Sequence, residues 1–281
     1  MQLATTVSLF AAGFIGRLVF LRSHKFRFVV RMVLFYVCIA VASLAGCIAA
    51  PIFFLLGRGG LSNRLVAAIF YATASRLTGT TVEVEGREHL ERSRPCVFLV
   101  NHQSTLDMLT MGAVFPSNTA ILAKAEIKWY PFMGQFMMLA KNVFINRGNR
   151  QSAIDTMARV ARLLKSQNLG LWMYPEGTRS HQKDKTLLPF KKGAFHLATQ
   201  GNMPLIPIVC STYYPCFSES QMIFEPSTIR IKVLPQIDTR GMSTHDVDKL
   251  IEIAQEQMTA TLKQLDTVPK DPSSMPKLKS E

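Results

Sequence analysis

Residues 96–107 read CVFLVNHQSTLD. Cys96 to Val100 is an unbroken apolar run, the pattern of a strand covered on both faces of a sheet. Asn101 and His102 end that run, and a helix is predicted from near Ser104. In open α/β sheets the carboxyl end of a strand, where the chain turns into a helix, is a usual place for a site. His102 and Asp107 are five residues apart. On one continuous helix that spacing amounts to about 140° of rotation, too far for the side chains to meet. With His102 in the turn before the helix, Asp107 can instead point back at it. A carboxylate on Nδ1 would fix the imidazole tautomer and leave Nε2 as a base. The competing reading is a turn histidine beside an aspartate on a solvated helix face.

Outward from this stretch the same alternation continues. Strands are predicted at 81–85, 119–123, 143–146, 169–174, 204–209 and 229–234. Helices are predicted over 62–78, near 104–114, 132–140, 150–166 and 192–200. The last helix is the clearest. Val247, Leu250, Ile251, Ala254, Met258, Leu262 and Leu265 recur at a period near 3.6, and Ser243 with Asp246 forms a capping-box start. Strands alternating with helices give an α/β fold, a mixed sheet flanked by helices. Residues 58–266 form that domain and 1–57 a membrane-anchoring, membrane-embedded helical region. The 267–281 tail, with three prolines and no apolar period, is expected to be disordered.

The 281-residue chain is 48% apolar and only 18% charged. Disorder throughout is excluded, and so are collagen-like and disulfide-rich classes. Net charge is +13, which suits a partner carrying phosphate. No Asp or Glu occurs before Glu83, whereas residues 1–57 hold Arg17, Arg22, Lys25, Arg27 and Arg31. Between Arg31 and Arg58 lie 26 residues without a charge, a helix of about 39 Å if continuous. That exceeds the roughly 30 Å hydrocarbon core, so a tilted span fits. Pro51 also allows a kinked or re-entrant helix. A weaker apolar stretch, Leu3 to Leu21, precedes it. That stretch lacks the charged start and the cleavage pattern of a signal peptide, while an Arg-bearing transit segment stays open. The five cysteines include no Cys-x-x-Cys pair and read as small buried hydrophobes.

Other chemistry-bearing residues follow strand ends. LWMYPEGTRS (171–180) turns at Glu176-Gly177-Thr178 and offers Arg179 as a planar fork for phosphate. Lys124 follows AILA, Arg147 follows VFIN, and Lys191 and Lys192 sit in PFKKGAFHLA. Each alone reads as a solvated charge; several at strand ends make one anion pocket. No Walker loop, dinucleotide fingerprint, His-Glu-x-x-His or Gly-x-Ser-x-Gly is present, and no metal-ligand spacing is seen. The aromatic, Met-rich segment 126–139 suits a lipid interface, an acyl pocket or plain core.

Taken in order, these blocks resemble the glycerolipid acyltransferases that acylate glycerol phosphates and lysophospholipids. Asn101-His102 through Asp107 matches a His-x4-Asp motif. Phe144–Arg147 is similar to the second block, with Asn146 where many members have Asp. Pro175–Arg179 matches the third and Pro204–Ile208 the fourth. The resemblance implies acyl transfer from acyl-CoA to the sn-2 hydroxyl of lysophosphatidic acid. His102 and Asp107 would be the catalytic pair, and Arg179, Arg147 and Lys124 would hold the phosphate. Asn101, Glu176, Gly177, Thr178 and Pro207 would shape the site, with backbone N–H groups near the Glu176–Thr178 turn for the oxyanion. It implies no cofactor, acyl-CoA being a co-substrate, no metal and no nucleic acid. The lipid bilayer is the expected partner and the endoplasmic reticulum the expected location, with the lipid droplet as an alternative. Another acceptor, such as glycerol 3-phosphate or a different lysophospholipid, stays open, as does a non-catalytic binder of anionic lipid.

Overall fold

The computed structural model describes residues 20, 22–91, 94–146, 150–181 and 186–267. The apolar stretch 3–21 apart from Phe20, residue Arg147 and positions 268–281 lie outside them.

Seven strands form one mixed sheet of order β1-β9-β6-β2-β5-β3-β4. They are β1 (Thr80–Glu85), β2 (Cys96–Val100), β3 (Thr119–Lys124), β4 (Val143–Ile145), β5 (Gly170–Met173), β6 (Leu205–Cys210) and β9 (Ser227–Val233). From β6 across to β4 the neighbours run parallel. β9 meets β6 antiparallel, and β1 runs parallel to β9. The remaining strands, β7 (Phe217–Ser218) and β8 (Ile223–Phe224), form a separate hairpin.

Period-two alternation divides the sheet's side chains between two helical layers. Cys96, Phe98 and Val100 of β2 face one layer, and Val97 and Leu99 face the other. The first layer contains α1 (His24–Leu55), α2 (Ser62–Thr78), α3 (Asp107–Val114) and α4 (Met133–Leu139). The second contains α5 (Arg150–Gln167), α6 (Gly193–Gly201) and α7 (Val247–Thr267). Cover on both faces explains why β2 is apolar at all five positions. Each large side chain so buried contributes about 1.5–3 kcal/mol. α2 stops at Gly79, whose φ of 73° supplies the left-handed cap that a side chain would resist. A capping box of Ser243 and Asp246 precedes α7. α7 itself runs on to Thr267, one residue into the segment read as tail.

α1 is longer than the uncharged run and continues through Pro51 without a break. Its 32 residues would extend about 48 Å. Ser23 caps it, accepting from the Phe26 amide at 3.3 Å. The inward face is Arg31, Phe35, Cys38, Ala42, Ser43, Gly46 and Ala50, spaced at helical intervals and mostly small. A Cβ on Gly46 would stand 2.4 Å from the Phe136 ring, so α1 and α4 approach closely only because that position is glycine. Arg27 and Arg31 turn toward Glu225, with Nε and Nη1 donating to its two oxygens at 2.7 and 2.6 Å. Arg31 also donates to the Phe224 carbonyl. The helix thus shares one core with the α/β domain. Its outward face is apolar as well: Val33, Val37, Val41, Leu44, Ile48 and Ile52 are all half or more exposed, or nearly so. Among the described residues it is the one helix long and apolar enough to cross a membrane.

Candidate active site

The carboxyl ends of β2, β5 and β3 lie side by side, and the site is assembled there. Register places Leu99 opposite Met173 and Ile121 opposite Trp172. The chain leaving β5 is therefore flanked by His102 on one side and Lys124 on the other. Two strand spacings separate those flanks, about 10 Å.

Asn101 opens the site and is almost wholly buried. Its side-chain amide donates to the Cys210 carbonyl at 2.9 Å and its oxygen accepts from the Cys210 amide at 2.8 Å. The side chain thereby extends the β2–β6 pairing by one rung and frees the backbone to turn. Ser104 follows in the turn before α3, its Oγ accepting from the Leu106 amide at 3.1 Å. Asp107, three residues on, returns the contact by accepting from the Ser104 amide at 3.0 Å. These two contacts within the turn hold the carboxylate over it. The same Oδ2 accepts from the Gln103 amide at 2.8 Å and lies 2.7 Å from His102 Nδ1. His102 is in the turn and not on α3, so the five-residue spacing brings the pair together.

Two further contacts hold His102. Its amide donates to Glu176 Oε1 at 2.6 Å. Its ring stacks on Tyr174, with centroids 4.0 Å apart and planes 20° off parallel. Nε2 makes no hydrogen bond among the described residues, and the side chain is 20% exposed. The imidazole thus gives one nitrogen to a carboxylate and leaves the other without a hydrogen-bond partner among the described residues.

Glu176 lies beneath the turn rather than in the mouth. Its second oxygen accepts from the Leu188 amide at 3.0 Å. Burial pushes its carboxyl above the ordinary value, opposed by these two backbone donors. Gly177 has φ of 72° and donates to the Tyr174 carbonyl at 3.1 Å. A Cβ there would also meet the Lys191 stem at 3.2 Å, so the turn requires glycine. The amides of Ser180 and His181 donate to the carbonyls of His102 and Gln103 at 2.8 and 3.1 Å, which ties this turn to the histidine turn. Thr178 and Arg179 are exposed between these tethers. The Gly177 amide is therefore already engaged, whereas the Thr178 and Arg179 amides have no partner among the described residues.

The remaining residues divide. Lys124 ends β3 and is exposed, and Asn146 follows β4 on the far side. Lys192 pairs with Asp248 at 2.6 Å, away from the site. Pro207 is not brought to the site: it is buried within β6, opposite Leu99. It stands just before the β6–β9 pairing at Ile208, where a missing N–H is tolerated, and its carbonyl accepts from Leu234. Three residues that the sequence reading did not single out also belong here. Gln103 donates to the carbonyls of Cys210 and Ser211 and accepts from the Tyr213 amide. Tyr174 supplies the stacking face, and Tyr213 reaches Asp107. A polar or aromatic residue next to a strand end was their only clue. The five cysteines are free thiols, four of them buried. No group of three His, Cys, Asp or Glu side chains gathers as metal ligands among the described residues.

The family model described as Acyltransferase matches residues 81–211. The 1-acyl-sn-glycerol-3-phosphate acyltransferase of Saccharomyces cerevisiae is 36% identical over 86% of this chain and 79% of its own. The human 1-acyl-sn-glycerol-3-phosphate acyltransferase alpha is 35% identical over 78% of this chain and 77% of its own. The crystal structure of the LPA acyltransferase PlsC from Thermotoga maritima shares the fold, with a TM-score of 0.60 and 22% identity. It covers 80% of this chain and 95% of that one.

Proposed function

The chain belongs to the acyltransferase family, and from that premise we propose that it acylates the sn-2 hydroxyl of lysophosphatidic acid with acyl-CoA, giving phosphatidic acid. The observation that carries this reading is His102, held at Nδ1 by Asp107 while Nε2 has no hydrogen-bond partner among the described residues and the side chain is 20% exposed. Nε2 takes the proton of the acceptor hydroxyl as its oxygen attacks the thioester carbonyl. Asp107 keeps the tautomer and stabilises the imidazolium. The tetrahedral intermediate collapses with loss of CoA thiolate, which recovers a proton from the imidazolium. The nearby Thr178 and Arg179 amides suit the oxyanion. Arg179, with no hydrogen bond or ion pair among the described residues, suits the acceptor's phosphate, and Lys124 lies across β5 as a second cation. Arg147 joins them by the likeness of its block. No cofactor or metal enters this scheme.

α1 suits a helix lying in one leaflet. Its inner face is covered by the β7–β8 hairpin near its start and by α2 and α4 further on, so a full crossing would draw those elements into the bilayer. Trp129, 84% exposed, and the exposed Tyr130 and Phe132 extend the apolar surface from α1 to the end of β3 and Lys124. Both acyl-bearing substrates would then reach the site from lipid. The endoplasmic reticulum is the membrane that phospholipid synthesis suggests.

The test is CoA release by the purified protein with oleoyl-CoA and three acceptors in parallel: lysophosphatidic acid, glycerol 3-phosphate and lysophosphatidylcholine. Release with the first alone supports the proposal. Release mainly with another acceptor would keep the chemistry and replace the substrate. No release from folded protein would favour a lipid-binding role.

A further inference from the structure

Asp107 is held from two sides, and the reaction described above uses only one of them. Oδ2 takes the three local donors: His102 Nδ1, the Gln103 amide and the Ser104 amide. Oδ1 faces away from the turn and receives the Tyr213 hydroxyl at 2.6 Å. Tyr213 is 4% exposed and comes from the loop after β6, 106 residues along the chain. Its backbone is fixed as well, since the amide donates to Gln103 Oε1 and the carbonyl accepts from Cys216 and Phe217. Thr110 Oγ1 lies 3.2 Å from the phenol oxygen, so the hydroxyl is held within a buried cluster on α3.

The geometry points to Tyr213 as a positioning residue for the acyl transfer, one that acts through Asp107 and touches neither substrate. This rests on the acyltransferase reading of His102 and Asp107 given above. A carboxylate anchored at one oxygen can rotate about its last torsion and exchange the oxygen that faces the imidazole. Anchoring the second oxygen removes that freedom, and the site is preorganised before substrate arrives. Burial and the neighbouring Asp107 charge push the Tyr213 phenol well above 10. It therefore stays a donor across the working pH range.

The experiment compares full-length protein carrying Tyr213→Phe, Asp107→Asn or both, assayed with radiolabelled acyl-CoA and lysophosphatidic acid over long incubations. Tyr213→Phe keeps the ring and removes only the hydroxyl. It is expected to lower kcat about tenfold, the scale of a hydrogen bond to a charged group, with KM for either substrate within twofold. In the Asp107→Asn background the same change is expected to cost nothing further. Should Tyr213→Phe fail to fold, Thr110→Val probes the same hydroxyl. It is expected to lower kcat a few-fold, and again only while Asp107 is present. Wild-type kcat in the folded Tyr213→Phe variant, or a tenfold loss that persists beside Asp107→Asn, would overturn the assignment. Absence of transfer by the wild-type protein would instead overturn the acyltransferase reading itself, and this role with it.

Discussion

In the proposed reaction His102 acts as a base in the tautomer that Asp107 selects, and Asp107 reaches it because His102 lies in the turn before α3, whose first residue is Asp107. Asp107→Asn keeps the shape and loses the charge, so kcat is expected to fall by roughly 1000-fold or more with substrate binding retained. A loss under tenfold in a steady-state assay would contradict the pairing. Arg179→Ala is expected to raise the KM for lysophosphatidic acid at least tenfold while kcat changes less, because in the proposed site the guanidinium would meet a group that does not react. An unchanged KM would move the phosphate elsewhere. Glu176 gives a pH signature. Its folded value lies above the ordinary one because of burial, so its protonation favours folding below the unfolded value, near 4.3. That contribution is lost as pH rises through the folded value. The stability of Glu176→Gln relative to wild type should therefore improve between those two values, measured by unfolding midpoint against pH. At this scale the sequence marks residues that sit close together in the chain. His102, Asp107, Glu176 and Gly177 fall in short blocks at strand ends. Tyr213 does not, since nothing local says that β6 returns beside β2.

Helices and strands follow the same rule with a different variable. The central strands β2, β5 and β6 were readable as compact runs covered on both sides, and β1 and β9 as β-branched alternations with one face less buried. The β7–β8 hairpin has two residues per strand, too few to show a period. The orientation of α1 was hidden for another reason: it is apolar all round, so hydropathy cannot separate its faces. Size does separate them, with Cys38, Ala42, Ser43, Gly46 and Ala50 inside and Val33, Val37, Leu44 and Ile48 outside. Close helix packing uses small residues in this way. Two tests follow from the packing. Glu225→Ala leaves Arg31 buried without its carboxylate, and should lower stability by roughly 3 kcal/mol in chemical denaturation. A loss below about 1 kcal/mol would mean that the cluster does not dock α1. Charges on the outer face, as in Val37→Glu with Ile48→Glu, should leave folding intact and reduce vesicle binding at least tenfold. Undiminished binding would place the lipid contact elsewhere.

For the molecule as a whole, the sheet order sets the site and the site's surroundings. Five parallel neighbours bring the ends of β2, β5, β3 and β4 to one edge, and the histidine turn, the Glu176 turn and Lys124 converge there. The exposed aromatics begin at Trp129, five residues past the end of β3, so the apolar surface and the charged edge are close in the chain. Strand and helix content was legible in the sequence, whereas this order was not. Neighbours such as β2 and β6 lie more than a hundred residues apart, and no local pattern encodes their pairing. The claim on which all of this depends is that His102 is the base. CoA release from oleoyl-CoA and lysophosphatidic acid, compared between wild type and His102→Ala beside vesicle binding by both, tests it most directly. The account predicts that the variant loses transfer by at least three orders of magnitude and binds vesicles as before. A folded His102→Ala protein that transfers at near wild-type rate would contradict it.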